Sequence, residues 1–430
     1  MNKINNFIAI FLLTLLLISL SYSTIGPSDK KSKKKDKKSQ TPSPSVVDEV
    51  IDNTPANVSV VERGLVEASI KSTKDLISNH MKYCQPCASK RTFKNTVLGY
   101  VTPWNSLGYS ISNQFSNKFD YISPVWLTIQ RLKLKTYSLV GTKDIDKTWM
   151  SNVKKNSEIK VMPRVMLDKF SAQDLHALFN DEDEITELVK VLVDGAKKFK
   201  FSGYVLEIYS QLRGFTKMHI SHLITDLAKA LHSSKNKKLI LVIPPAFKSE
   251  DPNKNAEADI VFNNEDFEQL KDIVDGFSLM TYDYGTSNQQ VAPNSPYNWV
   301  RMNVEYLTSS PKYRAKILLG LNFYGIKYSI ELIKAKSENA VVPVTGNTLI
   351  MLLKSFKSEI IYDDKSIEHV IYLLNNDDNS KKVDIMNTNS IIYYPTLHSI
   401  QKRIELAQEL GTGISIWELG QGMDYFYDLF

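Results

Sequence analysis

The chain has 430 residues, 43% hydrophobic, 23% charged and 10% aromatic, with 17 Gly, 16 Pro and 2 Cys. That profile excludes a collagen, a disulfide scaffold and a wholly disordered protein. The formal charge of +6 is local: residues 29–38 hold seven Lys against two Asp, which is +5, so only +1 lies elsewhere. A nearly neutral remainder gives no electrostatic reason to expect nucleic acid as a partner.

Residues 1–23, MNKINNFIAIFLLTLLLISLSYS, place Lys3 ahead of an apolar run from Phe7 to Leu20, followed by Ser21 and Ser23. The run is shorter than the roughly 20 residues that span a bilayer, so it reads as a signal peptide cleaved near Ser23 rather than an anchor. The expectation is a soluble mature protein in the secretory pathway, secreted or delivered to the lysosome. Residues 24–79 read as tail and linker, because the Lys-, Ser-, Pro- and Asp-rich part up to about residue 55 cannot bury enough apolar surface to fold alone. Asn57-Val58-Ser59 is an N-glycosylation sequon just past that tail. Cys84-Gln85-Pro86-Cys87 reads as a short-range disulfide or as pairing with another molecule. No second Cys pair completes a structural zinc site, the 7 His are scattered, and no metal or cofactor is expected.

From residue 95 onward a rhythm repeats: a short apolar or β-branched run, a polar loop, then a segment with apolar residues three and four apart. The runs cover 97–101, 121–127, 159–167, 203–209, 239–243, 276–282, 317–323 and 413–417. Between them Ile220, Leu223, Ile224, Leu227 and Leu231 form one helical stripe, and Ile400, Ile404, Ala407 and Leu410 another, closed by Gly411. Eight strand-like runs alternating with helices predict an α/β fold, a (β/α)8 TIM barrel over residues 80–430. The gap between the seventh and eighth runs is about 90 residues, far more than one helix needs. Its strand-like pieces at 340–344, 370–374 and 390–394 predict a small inserted α+β subdomain near 327–394. In such barrels ligands sit at the C-terminal ends of the strands.

The fourth run, Ser202-Gly203-Tyr204-Val205-Leu206-Glu207-Ile208-Tyr209, has the frame DGxDxDxE, which resembles the motif of glycoside hydrolase family 18. Met280-Thr281-Tyr282-Asp283 resembles that family's MxYD segment, and Trp417 falls where its sugar-stacking Trp belongs. Longer phrases, VLGYVTPWNS (97–106), FDYISPVWL (119–127), GFSLMTYDY (276–284), ILLGLNFYG (317–325) and GISIWELGQGMDYFYDLF (413–430), resemble the family's chitinase-like lectins. The resemblance implies a secreted glycoprotein that binds chitin-type amino-sugar oligosaccharides or bacterial lipopolysaccharide sugars, with a sorting or scavenger receptor as a further partner.

The motif departs from the family's at the positions that carry chemistry. The family's last Glu protonates the glycosidic oxygen, and the Asp before it steadies the substrate's own N-acetyl group. Here Tyr209 holds the acid position and Glu207 the Asp position. A phenol with a pKa near 10, against about 4.3 for Glu, is a poor proton donor to a leaving group. The expectation is therefore a protein without a catalytic residue, built on the degenerate frame Ser202, Gly203, Val205, Glu207 and Tyr209. Alternation along a strand puts Val205, Glu207 and Tyr209 on one face, toward the barrel mouth. Glu207 reads as a buried carboxylate paired near Asp283 and Tyr282, and a glycosidase of altered mechanism using Glu207 or Asp283 is the rival. A third reading is a protein-interaction scaffold on a relic barrel. The expected saccharide-binding residues are Trp417, Tyr282, Asp283, Glu207, Tyr209, Trp104 and Met280. Trp126, Trp149 and Trp299 read as packing residues.

Overall fold

Runs of apolar residues buried on both faces form parallel strands, with amphipathic helices covering the outer face. The computed structural model describes residues 54–430 except 71, 156, 213–216, 258–259 and 375–387. The signal-like run and residues 24–53 lie outside the described residues. No described helix is long and apolar enough to cross a membrane.

The first ten strands are β1 (Val97–Val101), β2 (Tyr121–Pro124), β3 (Leu127–Lys133), β4 (Thr136–Val140), β5 (Lys160–Val161), β6 (Arg164–Leu167), β7 (Gly203–Glu207), β8 (Lys238–Ile243), β9 (Gly276–Leu279) and β10 (Ile317–Asn322). Next come β11 (Gly325–Ser329), β12 (Val341–Val344), β13 (Ser358–Asp363), β14 (Glu368–Leu374), β15 (Thr388–Tyr394) and finally β16 (Gly413–Trp417). One sheet has eleven strands in the order β4-β3-β6-β7-β8-β9-β10-β16-β1-β2-β5. Only Met162 and Pro163 separate β5 from β6. The Met162 amide donates to the Ile122 carbonyl (2.9 Å), and the Val205 amide to the Pro163 carbonyl (3.1 Å). One stretch of chain therefore joins β2 on one side to β7 on the other, and the sheet curls round on itself. Pro163 lacks a donor, which breaks the run into two short strands.

Strands β11 to β15 make a second, antiparallel sheet in the order β12-β11-β15-β14-β13. They lie in chain order between β10 and β16, with the helix Gly346–Ser355 among them. Leu98, Tyr100, Met162, Val205, Ile240, Val242 and Leu318 fill the inside of the curled sheet, while a much larger cluster packs its outer face against helices. Each fully buried aliphatic side chain contributes roughly 1.5–3 kcal/mol relative to exposure. Trp126, Trp149 and Trp299 are all buried in the outer layer.

The described residues among 54–79, assigned above to tail and linker, belong to the same compact unit as the strands. Val60 and Leu76 are buried, the Val60 amide donates to Asp428 (3.1 Å), and His369 Nε2 meets the Ala68 carbonyl (2.8 Å). A segment with too few apolar residues to fold alone still docks the few it has onto an existing core. Cys84 and Cys87 are joined by a disulfide, and Asn57 is exposed.

Candidate functional site

Strand β7 begins at Gly203 with φ +146°, where an added Cβ would lie 1.9 Å from the Lys238 carbonyl oxygen. Only glycine fits there. From Gly203 the side chains alternate, so Val205 joins the interior cluster and Glu207, the last residue of the strand, follows it. Glu207 is half-buried and its partner is Arg164 of β6, with Nε to Oε2 at 3.2 Å. The guanidinium also reaches the Met166 sulfur at 2.7 Å. This corrects the expected partner, since Arg164 rather than Asp283 or Tyr282 holds the carboxylate.

Tyr209 does not share that face. Strand β7 ends at Glu207, and alternation ends with it, so Ile208 and Tyr209 both join the outer layer. Tyr209 is 2% exposed and meets Phe262 edge to face, with ring centroids 4.9 Å apart. Among the described residues its hydroxyl has no hydrogen-bond partner, and burial raises the phenol well above its ordinary pKa. Tyr209, which the resemblance puts at the family's acid position, thus packs in the outer layer, away from the face on which the saccharide-binding set was expected.

Trp417 ends β16, half-buried, and its ring lies 5.2 Å from that of Tyr100. It packs against both the interior cluster and the cluster of Tyr324, Ile326 and Tyr328, so it stands where the curled sheet meets the second sheet. Below it, the Tyr100 hydroxyl donates to Ser278 (2.8 Å), and Ser278 donates to Ser415 (3.1 Å). These three buried hydroxyls thereby satisfy one another.

After β9 the chain turns sharply. Asp283 takes a left-handed φ of +63°, which Asp tolerates better than most residues, and its amide donates to Asn294 Oδ1 (2.8 Å). Gly320 of β10 makes room: a Cβ there would lie 3.0 Å from Tyr282 Cε1 and 2.3 Å from the Leu279 carbonyl oxygen. Asp283 accepts a hydrogen bond from Tyr324. Burial raises the Asp283 carboxyl, and the Tyr324 bond opposes that rise. The Tyr282 phenol is raised by burial, and it feels the charges of Asp283, Glu207 and Arg164 as well as Tyr100. Those couplings bring Tyr100, Arg164, Glu207, Tyr282, Asp283 and Tyr324 into one electrostatic neighbourhood at the strand ends. Met280 is partly buried against the same interior cluster. Trp104 is 59% exposed in the turn after β1.

Two buried carboxylates support this rim. Glu418 accepts from Asn105 Nδ2 (2.9 Å), and burial pushes its pKa up to about 7. Glu368 of β14 accepts the amides of Asn294 (3.1 Å) and Ser295 (2.6 Å) and pairs with Arg403 (3.5 Å). The second sheet thus fixes the loop that carries Asp283.

The sequence reading missed Tyr100, Arg164 and Tyr324. Arg164 had a visible signal, a single cation inside the otherwise apolar stretch 161–167. A partly open indole face beside two carboxylates, a guanidinium and phenols matches the needs of a polyhydroxylated ring: one apolar face and convergent polar groups.

Comparisons with known proteins agree with this architecture. The cortical fragment-lytic enzyme of Bacillus subtilis (strain 168) is 25% identical over 253 residues, which is 58% of this chain and 54% of that protein. The chain therefore matches about half the length of this curated relative. Among solved structures, a chitinase from Chromobacterium violaceum ATCC 12472 superposes with a TM-score of 0.63 at 20% identity, covering 78% of this chain and 98% of that one. The spore cortex-lytic enzyme SleL of Bacillus megaterium QM B1551 gives 0.61 at 20% identity, covering 78% and 74%. Residues 96–422 match the glycosyl hydrolases family 18. With three quarters of its length matched, from β1 to the end of the barrel, the chain belongs to glycosyl hydrolase family 18.

Proposed function

We propose that the chain is an exported, chitinase-like saccharide-binding protein that holds chitin-type amino-sugar oligosaccharides at the barrel mouth without cutting them. The observation that carries this reading is Tyr209: at the motif's acid position stands a phenol buried against Phe262, with no route for its proton to a glycosidic oxygen. Loss of general acid catalysis alone removes roughly 10²- to 10⁴-fold in rate. Glu207 faces Arg164, an arrangement suited to orienting a ligand rather than donating a proton. The binding part is better furnished, with Trp417, Tyr282 and Asp283 at one rim. Several long phrases resemble chitinase domain-containing protein 1, a chitinase-like lectin, which supports the same reading. The amino-terminal apolar run supports export, with secretion or lysosomal delivery as destination, Asn57 as a glycan site and a sorting receptor as partner.

One observation favours a second reading, a glycosidase of altered mechanism. Burial raises the Asp283 carboxyl, the direction a proton donor needs. Incubation of the full chain with N-acetylglucosamine oligomers, followed by mass spectrometry, separates the two. Intact oligomers are expected; shortened products that vanish in Asp283→Asn or Glu207→Gln would establish the second reading instead.

A further inference from the structure

Outside the barrel mouth, the helix Lys217–Ser233 carries His219, His222 and Asp226 at positions i, i+3 and i+7, one face of a helix. That face meets the first turn of the helix Glu182–Lys198. His222 Nε2 lies 2.9 Å from Glu182 Oε2 and 3.5 Å from Asp226 Oδ2. Ligand atoms of all three residues fall within 4.8 Å of one another. Around a tetrahedral ion with bonds of about 2.0–2.1 Å, ligand atoms stand about 3.3 Å apart. Small rotamer changes of exposed side chains bring this set to that spacing.

We propose that Glu182, His222 and Asp226 form a binding site for a divalent transition-metal ion of the zinc class, clamping the two helices together. The donor set argues for that class. One imidazole with two carboxylates suits a borderline cation, whereas calcium and magnesium take oxygen donors almost alone. Two carboxylates and a neutral imidazole also supply the charge that balances a dication. Beside the set lies a cleft of about 400 Å³, lined by Phe179, Asn180, Ile185 and His219 as well as Glu182 and His222. It gives an ion an open path and leaves room for a water ligand, a requirement for any usable site. The competing account is a protonated His222 bridging two carboxylates with no ion, and it predicts no zinc uptake by the natural chain or by the His232→Ala control below.

The test is calorimetric titration of the metal-stripped full chain with zinc chloride, with thermal unfolding followed in parallel. The expected result is uptake of one ion per chain and a raised melting midpoint. His222→Ala and Asp226→Asn each weaken that uptake at least about tenfold and abolish the rise in midpoint. Both residues are at least partly exposed, so these variants keep the fold. His232→Ala is the control: His232 also pairs with an aspartate, Asp275 (2.9 Å), but Lys238 shares that carboxylate (2.8 Å) and leaves no place for a cation. It binds zinc as the natural chain does. Zinc uptake that survives both His222→Ala and Asp226→Asn, or absence of uptake by the natural chain, overturns the proposal.

Discussion

Trp417 is half-buried, with the tilted ring of Tyr100 5.2 Å away. A stacked pyranose gains on the order of 1–1.5 kcal/mol from an indole face beyond the area it buries. Trp417→Ala is therefore expected to weaken oligosaccharide binding about tenfold or more, and Trp417→Phe to recover part of the loss, as read by titration calorimetry. Equal affinity in Trp417→Ala would place the sugar elsewhere. The neighbouring residue Glu418 makes a prediction about pH. Its folded pKa of about 7 lies above the ordinary 4.5, so the folded state holds this proton more tightly than the unfolded state. The resulting stability is fully present below about pH 4.5 and is lost as pH rises through about 7. Glu418→Gln cannot lose that proton. Relative to the natural chain it is expected to gain up to about 3 kcal/mol between pH 5 and pH 8. The difference between the two proteins is the quantity to measure, by urea unfolding at several pH values, because His369 and other buried groups titrate in the same window. Parallel curves would contradict the assignment.

At the scale of elements, the second sheet does more than fill the gap between β10 and β16. Glu368, at the start of β14, accepts two backbone amides of the loop that follows Asp283, and Arg403 from the helix Leu397–Leu410 pairs with it out of reach of solvent. Removing one partner of a buried ion pair leaves the other charge uncompensated, at a cost of about 3–5 kcal/mol. Glu368→Ala is expected to lose that much stability in urea unfolding and to weaken sugar binding as well, since the Asp283 loop loses its anchor. A variant that keeps full sugar affinity would show that the loop is held without the second sheet. This dependence was not legible in the sequence. Glu368 lies 85 residues beyond Asp283 in the chain, and no local pattern joins them. Local patterns did reveal where most of the predicted strands begin, to within a residue or two, but not always where they end: the runs 121–127 and 276–282 overran β2 and β9 by three residues each, and the hairpin of β3 and β4 was not foreseen. Alternation misled where a strand stopped: carried past Glu207, it placed Tyr209 inside the barrel, whereas the chain turns there and Phe262 receives the ring.

Across the whole molecule, the eight runs and their intervening helical stripes were legible because burial on both faces of a strand and on one face of a helix leaves different periods. The closure of the sheet was hidden in Met162 and Pro163, a break inside one run that splits it into β5 and β6. The boundary of the folded unit was hidden too. Residues 54–79 have a linker's composition, yet the Val60 side chain is buried, its amide is held by Asp428, and the Ala68 carbonyl by His369 of the second sheet. A chain beginning at residue 80 is expected to melt at least about 5 °C below one beginning at residue 54, because Val60 and Leu76 lose their burial and Asp428 loses a donor. Equal midpoints in a thermal scan would show that this segment contributes nothing.

The most direct test of the central claim is isothermal titration of the full chain with N-acetylglucosamine oligomers of increasing length. Affinity that rises with length and falls in Trp417→Ala is the predicted result. Absence of heat with every oligomer, in a folded protein, would contradict a saccharide site at the barrel mouth.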